Sequence, residues 1–148
     1  GVSRAKRARL GRQVMRYLLD TNICIYLMKR HPPEVLSRLE AMRQGDVVMS
    51  VVTYAELRAG LEIRTSNRLH DEHVLGLLTS RIPVMPFDED AATAYGVLRA
   101  AVSDRRHDAL DRLIAAHAVS LSVTLVTNNE ADFVGYPGLT VENWVTCS

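Results

Sequence analysis

The chain has 148 residues, 47% apolar, 24% charged and 5% aromatic, which suits one compact domain and excludes a multidomain reading. No run approaches the roughly 18 apolar residues of a membrane span, no secretory signal is visible, and Cys24 and Cys147 have neither disulfide-framework nor zinc spacing, so a cytoplasmic protein without a sulfur-bound metal is expected. The net charge of +1 hides an asymmetry, because Arg4, Lys6, Arg7, Arg9 and Arg12 all precede Met15, and from there 13 basic residues face 17 acids, a net of −4.

Residues 1–14 show no apolar periodicity and read as a basic leader, a cloning remnant or a disordered arm; residues 15–148 form the single domain. From Arg16 onward short apolar runs alternate with helical patterns, the signature of a parallel sheet covered on both faces. Strands are predicted at 16–19, 46–50, 82–85 and 124–127, with an edge strand at 139–145. Helices are predicted at 22–29, 33–43, 51–64, 69–79, 88–104 and 109–121. Residues 65–68 and 104–108 read as helix connections.

Three acids fall at carboxyl ends of strands or on the helices that follow, where open α/β sheets place their sites. Asp20 ends the buried run Tyr17-Leu18-Leu19; an N-cap is its simpler role. Glu56 shares a stripe with Val52, Ala59, Gly60 and Ile63, where a carboxylate loses hydration unless something compensates it, although Thr53-x-x-Glu56 also fits a capping box. Asp111 repeats the arrangement with Ile114, Ala115 and Ala118; the alternative is an acid favoured by the helix dipole, with Asp108 one turn earlier. Asn128 and Asn129 leave the late strand and Asp132 follows at the next turn, a pattern equally that of a plain turn. Three acids at one end of a sheet would repel unless a cation lay between them. All-oxygen ligands suit Mg²⁺ or Mn²⁺ rather than zinc, and the chemistry that follows is phosphoryl hydrolysis.

The stretches Leu18-Leu19-Asp20-Thr21-Asn22, Ser50-Val51-Val52-Thr53-Tyr54-Ala55-Glu56-Leu57, Asp111-Arg112-Leu113-Ile114-Ala115-Ala116-His117-Ala118 and Leu125-Val126-Thr127-Asn128-Asn129 occur in order at spacing similar to that of PIN-domain ribonucleases, specifically VapC-type toxins. The resemblance runs from Met15 to about Val145. It implies a three-layer α/β/α fold with a mostly parallel sheet of four or five strands, a homodimer, Mg²⁺- or Mn²⁺-dependent RNA cleavage and inhibition by a cognate VapB-type antitoxin. By motif, Asp20, Glu56 and Asp111 are the catalytic, metal-holding acids and Asn129 takes the fourth catalytic position, where many relatives have Asp. The segments around Ile23 and Trp144 resemble members that cut tRNA in the anticodon region, and the low aromatic content favours a structured RNA.

Thr21, Ser50 and Thr127 are expected to donate to the carboxylates or to an RNA phosphate, with helix capping as the equal alternative for each, and Arg58, Arg112, Arg64, Arg105 and Arg106 are candidates for an RNA-backbone rim, although most surface arginines are merely solvated. His117, on the Leu113, Ile114 and Leu121 face, reads as core or interface. The alternative function is a catalytically weak module whose acidic pocket mainly binds a partner. A haloacid-dehalogenase-like phosphatase would need a second Asp where Asn22 stands, and a receiver domain a late lysine, whereas the last lysine is Lys29.

Overall fold

The computed structural model describes residues 9–10, 13–64, 66–102 and 108–146. Strands β1 (Arg9–Leu10) and β2 (Gln13–Val14) pair antiparallel ahead of the domain, within the segment set apart as a leader. The domain itself runs β3 (Tyr17–Leu19), α1 (Thr21–Lys29), α2 (Pro33–Glu40), β4 (Val47–Ser50), α3 (Val51–Ile63), α4 (Arg68–Arg81), β5 (Val84–Met85), α5 (Glu89–Ala101), α6 (Ala109–Leu121), β6 (Thr124–Val126), a 3-10 turn (Glu130–Phe133) and β7 (Thr140–Glu142). The expected α/β class holds.

Five strands form one parallel sheet in the order β5-β4-β3-β6-β7. Successive strand residues point to opposite faces, and the two cores divide accordingly. Tyr17, Leu19, Val47, Met49 and Val126 face α1 to α4 together with Ile23, Leu57, Leu75 and Trp144. Leu18, Val48 and Leu125 face α5 and α6, packing on Leu98, Ile114, Ala115, Ala118 and Leu121. Because both faces are covered, β3 is buried at every position, which is why its sequence reads as an unbroken apolar run. The result is the three-layer α/β/α arrangement the sequence implies.

Element ends differ from expectation for identifiable reasons. α2 stops at Glu40, short of Arg43, because Asp46 Oδ2 accepts from the Arg43 amide at 3.1 Å and turns the chain toward β4. Ile82 is still the cap of α4, its amide donating to the Leu78 carbonyl at 2.8 Å, so β5 begins two residues later than predicted. β7 ends at Glu142, where Asn143 Oδ1 accepts from the Val145 amide at 2.9 Å. α5 ends at Ala101; its predicted continuation to Asp104, the rim candidates Arg105 and Arg106, and Cys147 lie outside the described residues. Among the described residues no helix is long and apolar enough to cross a membrane.

The chain winds from β3 outward through β4 to β5, then returns to add β6 on the other side of β3. That reversal opens a crevice beyond the carboxyl ends of β3 and β6, the place where doubly wound sheets accommodate ligands.

Candidate active site

Asp20 stands at this crevice. It is the N-cap of α1, its Oδ1 accepting from the Ile23 amide at 2.9 Å, and only 5% of it is exposed. Capping is therefore real, but it occupies one oxygen. Burial, with the Glu56 charge adding, raises the Asp20 pKa above its ordinary value, while the Thr127 hydroxyl and the Ile23 and Asn22 amides act against the rise. A buried cap does not require a charge held at such a cost.

Glu56 reaches the same crevice from α3. The cap of that helix is Ser50, whose Oγ accepts from the Val52 amide at 3.0 Å, so Thr53 lies inside the helix and no Thr53–Glu56 capping box forms. Glu56 Oε1 instead accepts from the Thr21 hydroxyl at 2.5 Å, and Thr53 Oγ1 lies 3.3 Å from the same hydroxyl.

Asp111 lies in the first turn of α6. Asp108 takes the cap, its Oδ1 accepting from the Leu110 amide at 2.8 Å, which frees Asp111 from that task. Its pKa is raised from 3.8 to about 6, first by burial and then by the charges of Asp108, Asp132, Asp20 and Glu56. Four surrounding carboxylates acting on one acid mean that residues distant in sequence have been gathered into one negative pocket.

Asn129, expected in the fourth position, is exposed; its amide side chain donates to Asp132 and its backbone N–H to Thr127 Oγ1 at 3.0 Å. Asp132, not Asn129, is the residue whose charge acts on Asp111. It was visible in sequence as the acid one turn later, yet the strand end itself drew attention to Asn129. The 3-10 turn after β6 brings it back.

Among the described residues no Lys or Arg pairs with Asp20, Glu56 or Asp111. Nor do three His, Cys, Asp or Glu side chains among them converge closely enough to hold a metal as they stand. Asp20 and Glu56 take local donors, the Ile23 amide and the Thr21 hydroxyl. The donor set is entirely carboxylate oxygen and carries uncompensated charge, which fits a hard divalent cation and not zinc.

Burial decides between the roles open to several of these residues. Ser50 and Thr127 are each 0% exposed; Ser50 caps α3, and Thr127 bonds Asp20 and the Asn129 amide. Arg112 is 8% exposed, with its guanidinium 5.8 Å from the Tyr95 ring centroid, so it packs α6 against α5. Arg58 is paired with Glu72. Thr21 and Thr127 lie beside the pocket, the first donating to Glu56 and the second acting on Asp20. A groove of about 540 Å³ leads away from Glu56 between α1, α3 and α4, floored by Ile25, Met28, Leu57, Leu61 and Val74 and rimmed by Lys29, Arg30, Arg64 and His70, with Asp71 opposing them. Lys29 and Arg30 were missed in the sequence because they read as an ordinary basic helix end.

A family model of the PIN domain matches residues 17–138. The chain belongs to the PIN-domain family. Within it, the chain is 33% identical over 133 residues to Ribonuclease VapC2 of Rickettsia felis, covering 88% of this chain and 98% of that protein. It is 36% identical to the tRNA(fMet)-specific endonuclease VapC of Shigella flexneri, covering 88% and 99%. Among solved structures, VapBC2 from Rickettsia felis bound to a DNA fragment from their promoter has a chain that superposes with a TM-score of 0.81 at 32% identity, covering 88% of this chain and all of that one. VapBC from Salmonella typhimurium bound to DNA superposes equally, at 30% identity. PIN-domain ribonucleases generally depend on a divalent metal.

Proposed function

We propose that this PIN domain is the toxin of a type II toxin–antitoxin pair, a cytoplasmic endoribonuclease that uses Mg²⁺ or Mn²⁺ to hydrolyse phosphodiesters of a structured RNA. The observation that carries the proposal is the position of Asp111, half-buried at the start of α6, where burial first and then the charges of Asp108, Asp132, Asp20 and Glu56 raise its pKa to about 6; acids gathered this way from separate elements call for a cation.

Asp20 and Asp111 would hold the ion, directly or through water, with Glu56 as a further ligand or as the group that orients the attacking water. The ion supplies charge neutralisation and Lewis acidity toward a phosphodiester oxygen. Glu56 is suited to orientation because the Thr21 hydroxyl fixes one of its oxygens and leaves the other for water. Asp20 is suited to holding because its backbone is anchored, its amide donating to the Val126 carbonyl at 3.0 Å at the end of the central strand. In-line attack would leave 5′-phosphate and 3′-hydroxyl ends.

The Shigella flexneri relative is named a tRNA(fMet)-specific endonuclease, which supports a tRNA substrate here. Structural neighbours solved as VapBC complexes support a VapB-type antitoxin as partner. The groove beside Glu56, apolar below and basic at its rim, suits an amphipathic segment with acidic residues lying across the entrance to the site. The binding-only alternative loses its main support, because the neutral Asn129 is accompanied by the charged Asp132.

The test is cleavage of purified tRNA by the partner-free protein. Activity with Mg²⁺ or Mn²⁺, lost in EDTA and lost in a folded Asp20→Asn variant, is the expected result; undiminished cleavage in chelator removes the metal mechanism.

A further inference from the structure

Behind the carboxylates lies a buried polar pair for which the proposed hydrolysis has no use. Ser50 Oγ, already accepting from the Val52 amide, is 2.7 Å from Nδ1 of His117, and the two residues are 0% and 1% exposed. The imidazole packs edge-to-face on Phe87 with centroids 5.4 Å apart. The Ser50 hydroxyl has one proton and two lone pairs, so either tautomer of a neutral ring makes the bond. Burial lowers the His117 pKa to about 4, against the opposing pull of Asp88, so the ring stays neutral.

A hydrogen-bonded buried pair gives little net stability over apolar groups of the same shape. What it adds is direction. Ser50 caps α3 six positions before Glu56, and His117 lies on α6 six positions after Asp111. The bond therefore joins the two helices that carry those acids, through residues shut off from solvent.

We infer that His117, acting through Ser50, is a positioning residue that fixes α3 against α6 and so sets the approach of Glu56 to Asp111 in the cation site. The inference rests on the cation site proposed above, and its test separates the two. Mn²⁺ alone is titrated into the metal-free full chain by calorimetry, well below the unfolding midpoint of every variant. His117→Leu keeps the bulk and removes the ring nitrogen; His117→Asn keeps near the Nδ1 position an amide that can accept from or donate to Ser50. Expected are an affinity loss of about tenfold in His117→Leu, the low end for residues behind metal ligands, recovery of most of it in His117→Asn, and no further loss on adding Ser50→Ala to His117→Leu. A residue that only supports the fold would lower the midpoints of the metal-free variants and leave the affinity of the folded protein unchanged. Wild-type affinity in folded His117→Leu overturns the positioning role. Should that variant fail to fold, Ser50→Ala decides, wild-type affinity there being equally fatal. An absence of Mn²⁺ binding in the wild type removes the cation site and this inference together, whereas equal binding by wild type and variants removes the inference alone.

Discussion

The Thr21 hydroxyl donates to Glu56 Oε1 at 2.5 Å although the two residues are 35 positions apart, one opening the helix after the central strand and the other a turn and a half into α3. The bond restrains a carboxylate that no cation among the described residues compensates. Thr21→Val preserves shape and removes the donor. It should leave thermal stability within about 1 kcal/mol, the usual net value of one hydrogen bond, while lowering the rate of RNA cleavage by about tenfold, at the low end for residues that hold or aid a reacting group. Thr21→Ser should restore most of that rate. Single-turnover cleavage and thermal unfolding of the three proteins provide the measurement.

Asp111 makes the pocket sensitive to pH. Its pKa of about 6 in the folded, metal-free protein exceeds the ordinary 3.8, so between those values the folded state binds the proton more tightly than the unfolded chain. Metal-free stability therefore falls as pH rises through that window, and the ionised carboxylate is a burden at neutrality. With a discount for the solvent that screens the exposed half of the side chain, Asp111→Asn should raise the metal-free unfolding free energy at about pH 7 by on the order of 1 kcal/mol, with the gain fading below about pH 4. The wild type should lose Mn²⁺ affinity by about tenfold per pH unit below about pH 6, because the ligand must be deprotonated. Melting curves and titrations across pH 4 to pH 8 test both.

The same arrangement shows what the residues alone could convey. Tyr17-Leu18-Leu19-Asp20 was legible because a strand buried on both faces permits no polar residue until it ends, and Asp111 because Ile114, Ala115 and Ala118 mark its helix face. Burial of polar side chains was not legible. Ser50, Thr127 and Arg112 are of residue types at home on a surface, and each is buried only because a partner on another element, His117, Asp20 or Tyr95, satisfies it. Asp132 was seen but passed over, since linear spacing from the strand end does not show that a 3-10 turn folds the chain back.

Asp132 yields a prediction that separates it from its neighbour. Its charge acts on Asp111, whereas Asn129 only donates to it. Asp132→Asn should lower the Asp111 pKa in the metal-free protein, because a repelling charge is removed, and should still weaken Mn²⁺ binding severalfold. Asn129→Ala should change either quantity far less. Following the Asp111 carboxyl carbon by NMR during a pH titration distinguishes the two, and equal effects from both substitutions would return the fourth position to Asn129.

Arg112 provides the sharpest contrast between a surface reading and a buried one. An arginine that gripped RNA phosphates would weaken binding when replaced and reduce its salt dependence, with little effect on folding. Arg112 instead lies over the Tyr95 ring, packing α6 against α5. Lysine keeps the charge but cannot supply the planar guanidinium that lies over an aromatic face. Arg112→Lys should therefore destabilise the fold by about 1–2 kcal/mol, the range for a desolvated cation–π contact, and leave the slope of RNA affinity against salt concentration unchanged. A stable Arg112→Lys protein with a shallower slope would place the guanidinium on the RNA after all.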